Sequence, residues 1–331
     1  MVKAMPAAVS VIIPAYNEAR HIEACLRSVL AQEVDGELEV IVADGDSTDA
    51  TAELARAAGA VVVSNPRRLT PAGLNAALAA VTAPVVVRFD AHAEMPPGYV
   101  AACLRALAAE PGAVNVGGWR DVRADGPWGR ATAAALRSRF GVGNPRIWRR
   151  PTGDGWRRDV DTVPLGCWPT EALRTAGGWD ERFVRNQDFE LNHRLRRRGG
   201  RVVFDPAIWS IYHPRESLAA LARQYWQYGR FKARMLAEDP RSLQLRQLAP
   251  VALVAAAAAT PAPGPIGRAG RAALGGYGLV LAVTTARGRG GWRTAPALAA
   301  MHGSWVAGLL WEGALLAGGS RPPDSAPGER A

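Results

Sequence analysis

Two aspartates and a histidine stand where two predicted strands end, and their types suit a phosphorylated ligand. Asp44 directly follows one β-branched run, and Asp90 and His92 follow another, with one residue between them. Along an extended strand end, residues two apart point to the same side, so the Asp90 carboxylate and the His92 imidazole face one ligand. Such a pair suits Mn²⁺ or Mg²⁺ bridging a diphosphate, and the imidazole favours Mn²⁺.

The segment Pro14-Ala15-Tyr16-Asn17-Glu18 leaves a predicted strand and opens a helix, with Asn17 as its predicted N-cap. Free N–H groups at a helix N-terminus bind phosphate or a ribose edge. Asp44 is predicted to accept a hydrogen bond from a ribose hydroxyl or a base N–H, whereas Asp46 or Ser47 is predicted to cap the next helix. The sequence has no glycine-rich dinucleotide fingerprint and no Walker lysine, which argues against a nicotinamide enzyme or a P-loop ATPase.

A second group of acids opens a predicted helix that runs to about Arg198. Asn186 is the predicted N-cap, and Asp188 and Glu190 fall in the first turn, where carboxylates complement the helix dipole. The alternative is that one of these acids is a general base beside a cleft. Periodicity does not separate the two interpretations.

A third candidate group lies on a long predicted helix that follows Pro214. Gln227 and Arg230 are three residues apart among aromatic side chains, so they share a helix face that could bind a diphosphate or stack on a sugar. The alternative is an amphipathic helix whose arginine extends to solvent. Both interpretations stay open at this point.

Short β-branched runs alternate with longer Ala- and Leu-rich patterns over residues 9–118. The predicted strands are Val9–Ile13, Leu38–Ala43, Ala60–Ser64, Pro84–Phe89 and Ala113–Gly118. The predicted helices are Glu18–Leu30, Asp49–Ala58, Thr70–Ala80 and Pro97–Ala108. This alternation is typical of a mostly parallel, helix-covered sheet, in which ligands bind beyond the carboxyl ends of the strands. The segments that begin at Pro14, Asp44 and Asp90 lie at such ends.

The composition changes after this region. None of the 11 tryptophans precedes Trp119. Because tryptophan faces stack on sugar rings, residues 119–240 are predicted to hold an acceptor site. Core packing is the alternative explanation for any single tryptophan. Residues 241–319 contain three Ala-rich apolar runs, and residues 241–331 carry +6 of the net charge of +10. We expect membrane-associated helices there, shallow or spanning, with a soluble helical subdomain as the alternative. Residues 320–331 are predicted to form a flexible tail.

The overall composition, 331 residues with 48% hydrophobic and 21% charged, excludes a disordered, collagen-like or disulfide-stapled protein. The positive charge favours phosphate-bearing partners, although its arginine bias is also explained by a GC-rich genome. The clusters Arg146–Arg150 and Arg194–Arg201 are accompanied by no nucleic-acid recognition motif, so no nucleic-acid partner is expected. Three distant cysteines and the lack of a secretory signal predict a catalytic part that stays in the cytosol.

Five segments, taken in order, resemble family 2 glycosyltransferases with the GT-A nucleotide-sugar-binding fold, and among them the succinoglycan-type exopolysaccharide glycosyltransferases. The segments are residues 9–18, Asp44, Asp90-Ala91-His92, Gln187-Asp188 and residues 227–231. The resemblance covers about residues 8–240, and the hydrophobic C-terminal region resembles the membrane-associated tail of that subgroup. The chain departs from the family pattern at Gly45-Asp46, at His92 in place of a second aspartate, at Gln187 in place of glutamate, and at Phe231 in place of tryptophan.

The resemblance implies an α/β, Rossmann-like GT-A domain followed by a helical, hydrophobic, membrane-associated region. Residues 1–118 would be the nucleotide-sugar-binding half, residues 119–240 the acceptor-binding and catalytic half, and residues 241–319 the membrane-associated region. The implied activity is inverting transfer of a sugar from a nucleotide-diphosphate donor to a hydroxyl of a glycan or lipid-linked acceptor. The implied setting is polysaccharide or glycoconjugate biosynthesis at the cytoplasmic face of the cell membrane.

The resemblance also implies a role for each matching residue. Asp188 is the implied catalytic base, and Asp90 and His92 are the implied ligands of a divalent cation, Mn²⁺ or Mg²⁺. The implied substrate-binding residues are Pro14, Ala15, Tyr16, Glu18, Asp44, Asp90, Gln187, Gln227 and Arg230. A non-catalytic protein on the same fold, which binds a nucleotide or an anionic lipid, is the alternative.

Overall fold

The structure is a computed structural model, which describes residues 8–142, 145–151 and 157–319. The predicted tail, residues 320–331, lies outside the described residues. The described chain forms two compact units: the first holds residues 8–121, 150–151 and 157–211, and the second holds residues 122–142, 145–149 and 212–319. The chain therefore leaves the first unit, returns to it, and leaves it again.

One mixed sheet organises the first unit. Its strands are β1 (Val9–Ala15), β2 (Leu38–Asp44), β3 (Val61–Ser64), β4 (Val85–Arg88), β5 (Ala113–Val122), β6 (Arg158–Asp159), β7 (Cys167–Pro169) and β8 (Arg201–Tyr212). Their order is β3-β2-β1-β4-β7-β5-β8-β6, in which β3, β2, β1 and β4 are parallel and β7 is antiparallel to both of its neighbours. All five predicted strands are confirmed, and β1, β2 and β5 run further than predicted.

Helices cover both faces of this sheet. They are α1 (Ile22–Leu30), α2 (Thr51–Ala57), α3 (Thr70–Ala80), α4 (Tyr99–Ala109), α6 (Thr170–Ala176) and α7 (Gln187–Arg197), with α5 (Pro127–Arg137) in the second unit. The side chains of β1 alternate between two cores, because successive residues of a strand point to opposite faces. Val11 and Ile13 pack in the core beneath α1, α2 and α4, and Ile12 packs in the core beneath α3, α6 and α7.

The register of the parallel strands places the candidate residues at one edge. Ala15 at the end of β1 pairs with Asp44 at the end of β2, and Ile12 pairs with Arg88 at the end of β4. The segments after β1, β2 and β4 therefore leave the sheet side by side, as the sequence predicted for a ligand edge.

The second unit consists largely of helices, four of them after residue 212. They are α8 (Leu218–Glu238), α9 (Leu248–Ala259), α10 (Gly264–Arg287) and α11 (Thr294–Ala317), so each of the three predicted apolar runs is helical. Within the described ranges, none of these helices combines the length and the apolar composition that crossing a membrane would require.

Helices α8 and α11 pack against each other at a pair of glycines. A Cβ atom on Gly308 would lie 2.1 Å from the backbone oxygen of Trp226, and one on Gly229 would lie 2.0 Å from the backbone oxygen of Trp305. Backbone atoms cannot move aside as a flexible side chain can, so the contact requires glycine on both helices.

We predict that Gly308→Ala lowers the free energy of unfolding by about 2 kcal/mol, because the added methyl group overpacks a backbone contact. Gly303→Ala, on the same helix, is the matched control, since its Cβ would meet nothing within 4 Å. The control should leave the melting temperature unchanged or raise it, because alanine is the better helix former. Thermal melts of the two variants measure this, and equal melting temperatures would contradict the close packing.

Candidate active site

Asp44 ends β2 with one carboxylate oxygen unsatisfied. Its Oδ2 accepts a hydrogen bond from the backbone N–H of Ser47 at 3.2 Å. Its Oδ1 is buried and finds no hydrogen-bond donor among the described residues. A buried acceptor without a donor costs free energy, and a ribose hydroxyl or base N–H would remove that cost. This oxygen fits the nucleotide-binding role predicted for Asp44.

The end of β1 forms a wall beside Asp44. The backbone oxygen of Ala15 accepts from the N–H of Gly45 at 2.8 Å, and Tyr16, half-buried, follows it. The guanidinium carbon of Arg68 lies 5.4 Å from the centroid of the Tyr16 ring, within the range of a cation–π contact. Pro14 and Ala15 thus end β1 and Tyr16 follows it, while their substrate-binding roles stay predictions. Arg68 is a neighbour of Tyr16 that the motifs did not indicate.

The predicted helix caps in these loops are wrong. Asn17 has a left-handed φ of 54°, and its Oδ1 accepts from the backbone N–H of Thr48 at 2.8 Å instead of capping α1. The Ser47 hydroxyl accepts from the backbone N–H of Asn17 at 2.9 Å, and α2 begins after Ala50, not after Asp46 or Ser47. The polar side chains bridge the two loops, because the paired ends of β1 and β2 bring the loops into contact. These hydrogen bonds connect the loop after β1 to the loop after β2, beside Asp44.

Glu18 lies between two histidines. Its Oε1 is 3.2 Å from Nδ1 of His92, and its Oε2 is 3.0 Å from Nδ1 of His21. Burial raises the pKa of Glu18, but its hydrogen bonds and charge interactions with the two histidines outweigh burial and leave the pKa below its ordinary value. A carboxylate that accepts from Nδ1–H of a neutral imidazole selects the tautomer in which Nε2 is the ligand nitrogen. Glu18 would therefore direct Nε2 of His92 towards a cation bound beside Asp90.

Asp90 and Asp188 share one buried guanidinium. Arg88, the last residue of β4, donates from Nη2 to Oδ1 of Asp90 at 2.9 Å and from Nη1 to Oδ2 of Asp188. Trp179 donates from Nε1 to the other oxygen of Asp188 at 3.3 Å. Burial raises the pKa of Asp90, but the positive charges of Arg88, His92 and Arg120 outweigh it and lower that pKa.

The first turn of α7 gives Asp188 and Glu190 different partners, which the sequence pattern did not distinguish. Glu190 is buried and pairs with Arg194 one turn along the helix, with 2.8 Å between Nε and Oε1. Asp188 instead turns to Arg88. Asn186 occupies the N-cap position with a left-handed φ of 60°, but its side chain makes no capping hydrogen bond, contrary to the prediction. Gln187 opens α7, half-buried, next to Asp188.

The side chains near Asp90 suit a divalent cation that is coordinated partly by the protein and partly by a substrate. Within the described ranges, no three side chains of His, Cys, Asp or Glu are grouped so that they could hold a metal ion by themselves. Asp90 and His92 would supply one carboxylate oxygen and one imidazole nitrogen, and phosphate oxygens and water would provide the other ligands. An ion of this kind binds most strongly together with a diphosphate.

Gln227 and Arg230 lie on α8 in the second unit, both buried. Arg230 donates from Nε to Oε2 of Glu312 on α11 at 2.7 Å, and Arg234 donates to the other oxygen of Glu312. The interpretation in which Arg230 extends to solvent is wrong, because its exposed fraction is 4%. The contacts predicted for Gln227 and Arg230 with a diphosphate or a sugar stay predictions.

The parallel strand edge, the unsatisfied Asp44 oxygen and the Asp90–His92 pair define a nucleotide-binding α/β protein. The model of the family "Glycosyl transferase family 2" matches residues 10–174. The succinoglycan biosynthesis protein ExoA of Rhizobium meliloti (strain 1021) is 32% identical over 250 residues, which cover 73% of this chain and 74% of that protein. The chain therefore belongs to the family 2 glycosyltransferases and is an enzyme, which replaces the non-catalytic alternative.

More distant relatives agree with this assignment. The dolichyl N-acetyl-alpha-D-glucosaminyl phosphate 3-beta-D-2,3-diacetamido-2,3-dideoxy-beta-D-glucuronosyltransferase of Methanococcus voltae is 25% identical over 241 residues, 69% of this chain and 74% of that protein. The mannosyltransferase PcManGT from Pyrobaculum calidifontis, solved in complex with GDP-Man and Mn²⁺, matches with a TM-score of 0.63 at 23% identity, over 93% of this chain and 90% of that chain. The fold is of the GT-A type.

Proposed function

We propose that this chain transfers a sugar with inversion from a nucleotide-diphosphate donor to a hydroxyl of a glycan or lipid-linked acceptor, in polysaccharide or glycoconjugate biosynthesis. The observation that carries the proposal is the convergence of Asp90 and Asp188 on Arg88. One carboxylate follows β4 and the other opens α7, so two residues distant in the chain share one guanidinium.

The donor would bind across the ends of β1, β2 and β4. Asp44 would accept from the base or the ribose, beside the wall of Pro14, Ala15 and Tyr16. Asp90 and His92 would hold the divalent cation, with His92 oriented by Glu18. When bound, the ion would neutralise charge that develops on the departing nucleoside diphosphate.

The acceptor would be activated by Asp188. Its carboxylate would take the proton of the acceptor hydroxyl while that oxygen attacks the anomeric carbon from the face opposite the leaving group. Because one displacement moves the sugar directly, the configuration inverts and no covalent enzyme intermediate forms. Gln187 would contact the substrates beside Asp188.

We place the C-terminal helices at the cytoplasmic face of the cell membrane. Large apolar side chains are exposed there: Ile266 by 64%, Leu279 by 65%, Trp292 by 67% and Trp311 by 58%. Basic residues accompany them, and residues 241–331 carry nine arginines. Exposed Trp and Leu with arginine suit the interface of an anionic bilayer. The Methanococcus voltae relative is named for a dolichyl-linked substrate, which supports a lipid-linked acceptor.

We predict that Asp188→Asn lowers sugar transfer by at least ~100-fold, because general-base assistance contributes ~10²–10⁴-fold. Binding of the nucleotide-sugar, measured by thermal shift across a panel of donors, should stay within a few-fold of the wild type. Glu190→Gln on the same helix is the matched control and should keep at least a third of the transfer rate. Transfer by Asp188→Asn above about a tenth of the wild-type rate would argue against a base.

We predict that exhaustive chelation with EDTA stops transfer and that added Mn²⁺ restores it more fully than Mg²⁺, because one ligand is an imidazole. Transfer rates before chelation, after dialysis and after each metal is returned provide the measurement. An enzyme that keeps its full rate after complete metal removal would exclude a cation role for Asp90 and His92.

We predict that the full chain sediments with vesicles containing phosphatidylglycerol and less with neutral phosphatidylcholine vesicles, because arginine is attracted to anionic head groups. Replacing Leu279 and Trp311 together by serine should reduce the sedimented fraction, since both side chains are exposed and apolar. Active protein that stays in the supernatant with both vesicle types would contradict membrane association.

A further inference from the structure

We infer that Arg88 is a positioning residue that serves both halves of the transfer, and that its charge opposes the cation at Asp90 while it holds Asp188 in place. The inference rests on the proposed function and goes beyond it, because Arg88 is not a substrate contact in that proposal. Its side chain is 8% exposed, against 27% for Asp90 and 20% for Asp188. The guanidinium is therefore the buried member of the group, and the two carboxylates are partly exposed.

The shape of the guanidinium sets the spacing of the two carboxylates. Nη2 donates to Asp90 and Nη1 donates to Asp188, so each carboxylate binds a different arm of one planar fork. A lysine ammonium is a point charge on a flexible stem and does not impose this geometry. Arg88 thus fixes the position of Asp90, the proposed cation ligand, relative to Asp188, the proposed base.

The surroundings of Arg88 hold it in position. Its backbone N–H donates to the Gly166 oxygen at 3.2 Å, and β4 is paired with β1 on one side and with β7 on the other. Asp188 is held a second time by Trp179, a side chain 1% exposed that packs edge-on against Trp168. Neither Arg88 nor Asp188 can turn away without breaking buried contacts.

The charges predict that loss of Arg88 strengthens cation binding and slows sugar transfer. Arg88, Asp90 and Asp188 together carry one net negative charge, and without the guanidinium the two carboxylates carry two. A divalent cation beside Asp90 would then meet more negative charge and no competing donor on Oδ1, while Asp188 would lose its orientation. Arg120 also places positive charge near Asp90, and it is unchanged by this substitution.

The test compares Arg88→Met, Arg88→Lys and Trp179→Phe with the wild type. Mn²⁺ affinity is measured by electron paramagnetic resonance without nucleotide, and kcat and KM are measured for transfer. Arg88→Met should bind Mn²⁺ at least about threefold more tightly and lose at least about 100-fold in kcat. Trp179→Phe removes a hydrogen bond to Asp188 alone, so kcat should fall while Mn²⁺ affinity stays within about twofold.

Arg88→Lys keeps the charge without the fork, so its Mn²⁺ affinity should stay within about twofold of the wild type and its kcat should fall at least about tenfold. This variant decides the question if Arg88→Met does not fold. The inference is overturned if Mn²⁺ affinity in Arg88→Met is unchanged or weaker, or if either arginine variant transfers within threefold of the wild-type rate. A wild type that binds Mn²⁺ but transfers no sugar would instead overturn the proposed function, and tighter Mn²⁺ binding by Arg88→Met would still support the charge argument.

Discussion

The buried guanidinium of Arg88 is the interaction on which the candidate site depends. Two carboxylates at the edge of an apolar sheet would repel each other and lose hydration, and one cation between them offsets both costs. Removing one partner of a buried ion pair typically costs about 3–5 kcal/mol, because the remaining charge is left uncompensated. Asp90 and Asp188 both pair with Arg88 at the end of β4, which offsets their negative charge.

The donor side of the cleft follows from the parallel part of the sheet. Because β1 lies between β2 and β4, the segments that leave these three strands are neighbours. Asn17, Ser47 and Thr48 then join the first two loops through hydrogen bonds that neither loop could satisfy alone. Among the described residues, one buried oxygen of Asp44 has no hydrogen-bond donor, so a ligand donor there would be favourable.

The second unit is organised by a different constraint. Gly229 and Gly308 let α8 and α11 approach to backbone contact, and Glu312 accepts from both Arg230 and Arg234 across that contact. The glycines make the approach possible, and the ion pairs give the buried charges partners. Helix α11 is thus an apolar helix with a fully buried carboxylate, a combination that the sequence indicated only as a charge inside an apolar run.

The sequence by itself determined the strands β1 to β5, the helices that cover them, and the candidate acids at their ends, because these depend on periodicity and on short motifs. Helical periodicity did not separate Asp188 from Glu190, since both positions satisfy the helix dipole equally well, and only the family resemblance pointed to Asp188. The sequence pattern also did not identify Arg88, Trp179 or Arg68, although an arginine between the apolar residues Val87 and Phe89 was a signal of a buried ion pair.

Only the tertiary structure decided these points, because they depend on which groups meet across the chain. Asn17 and Ser47 were predicted as helix caps from local preference, and the contact between two loops gave them other partners. The antiparallel strand β7, three residues long, lies beside β4 and carries too little pattern to be recognised. Long-range contacts of this kind set the charge and geometry of the site, whereas local preference sets only the elements that carry it.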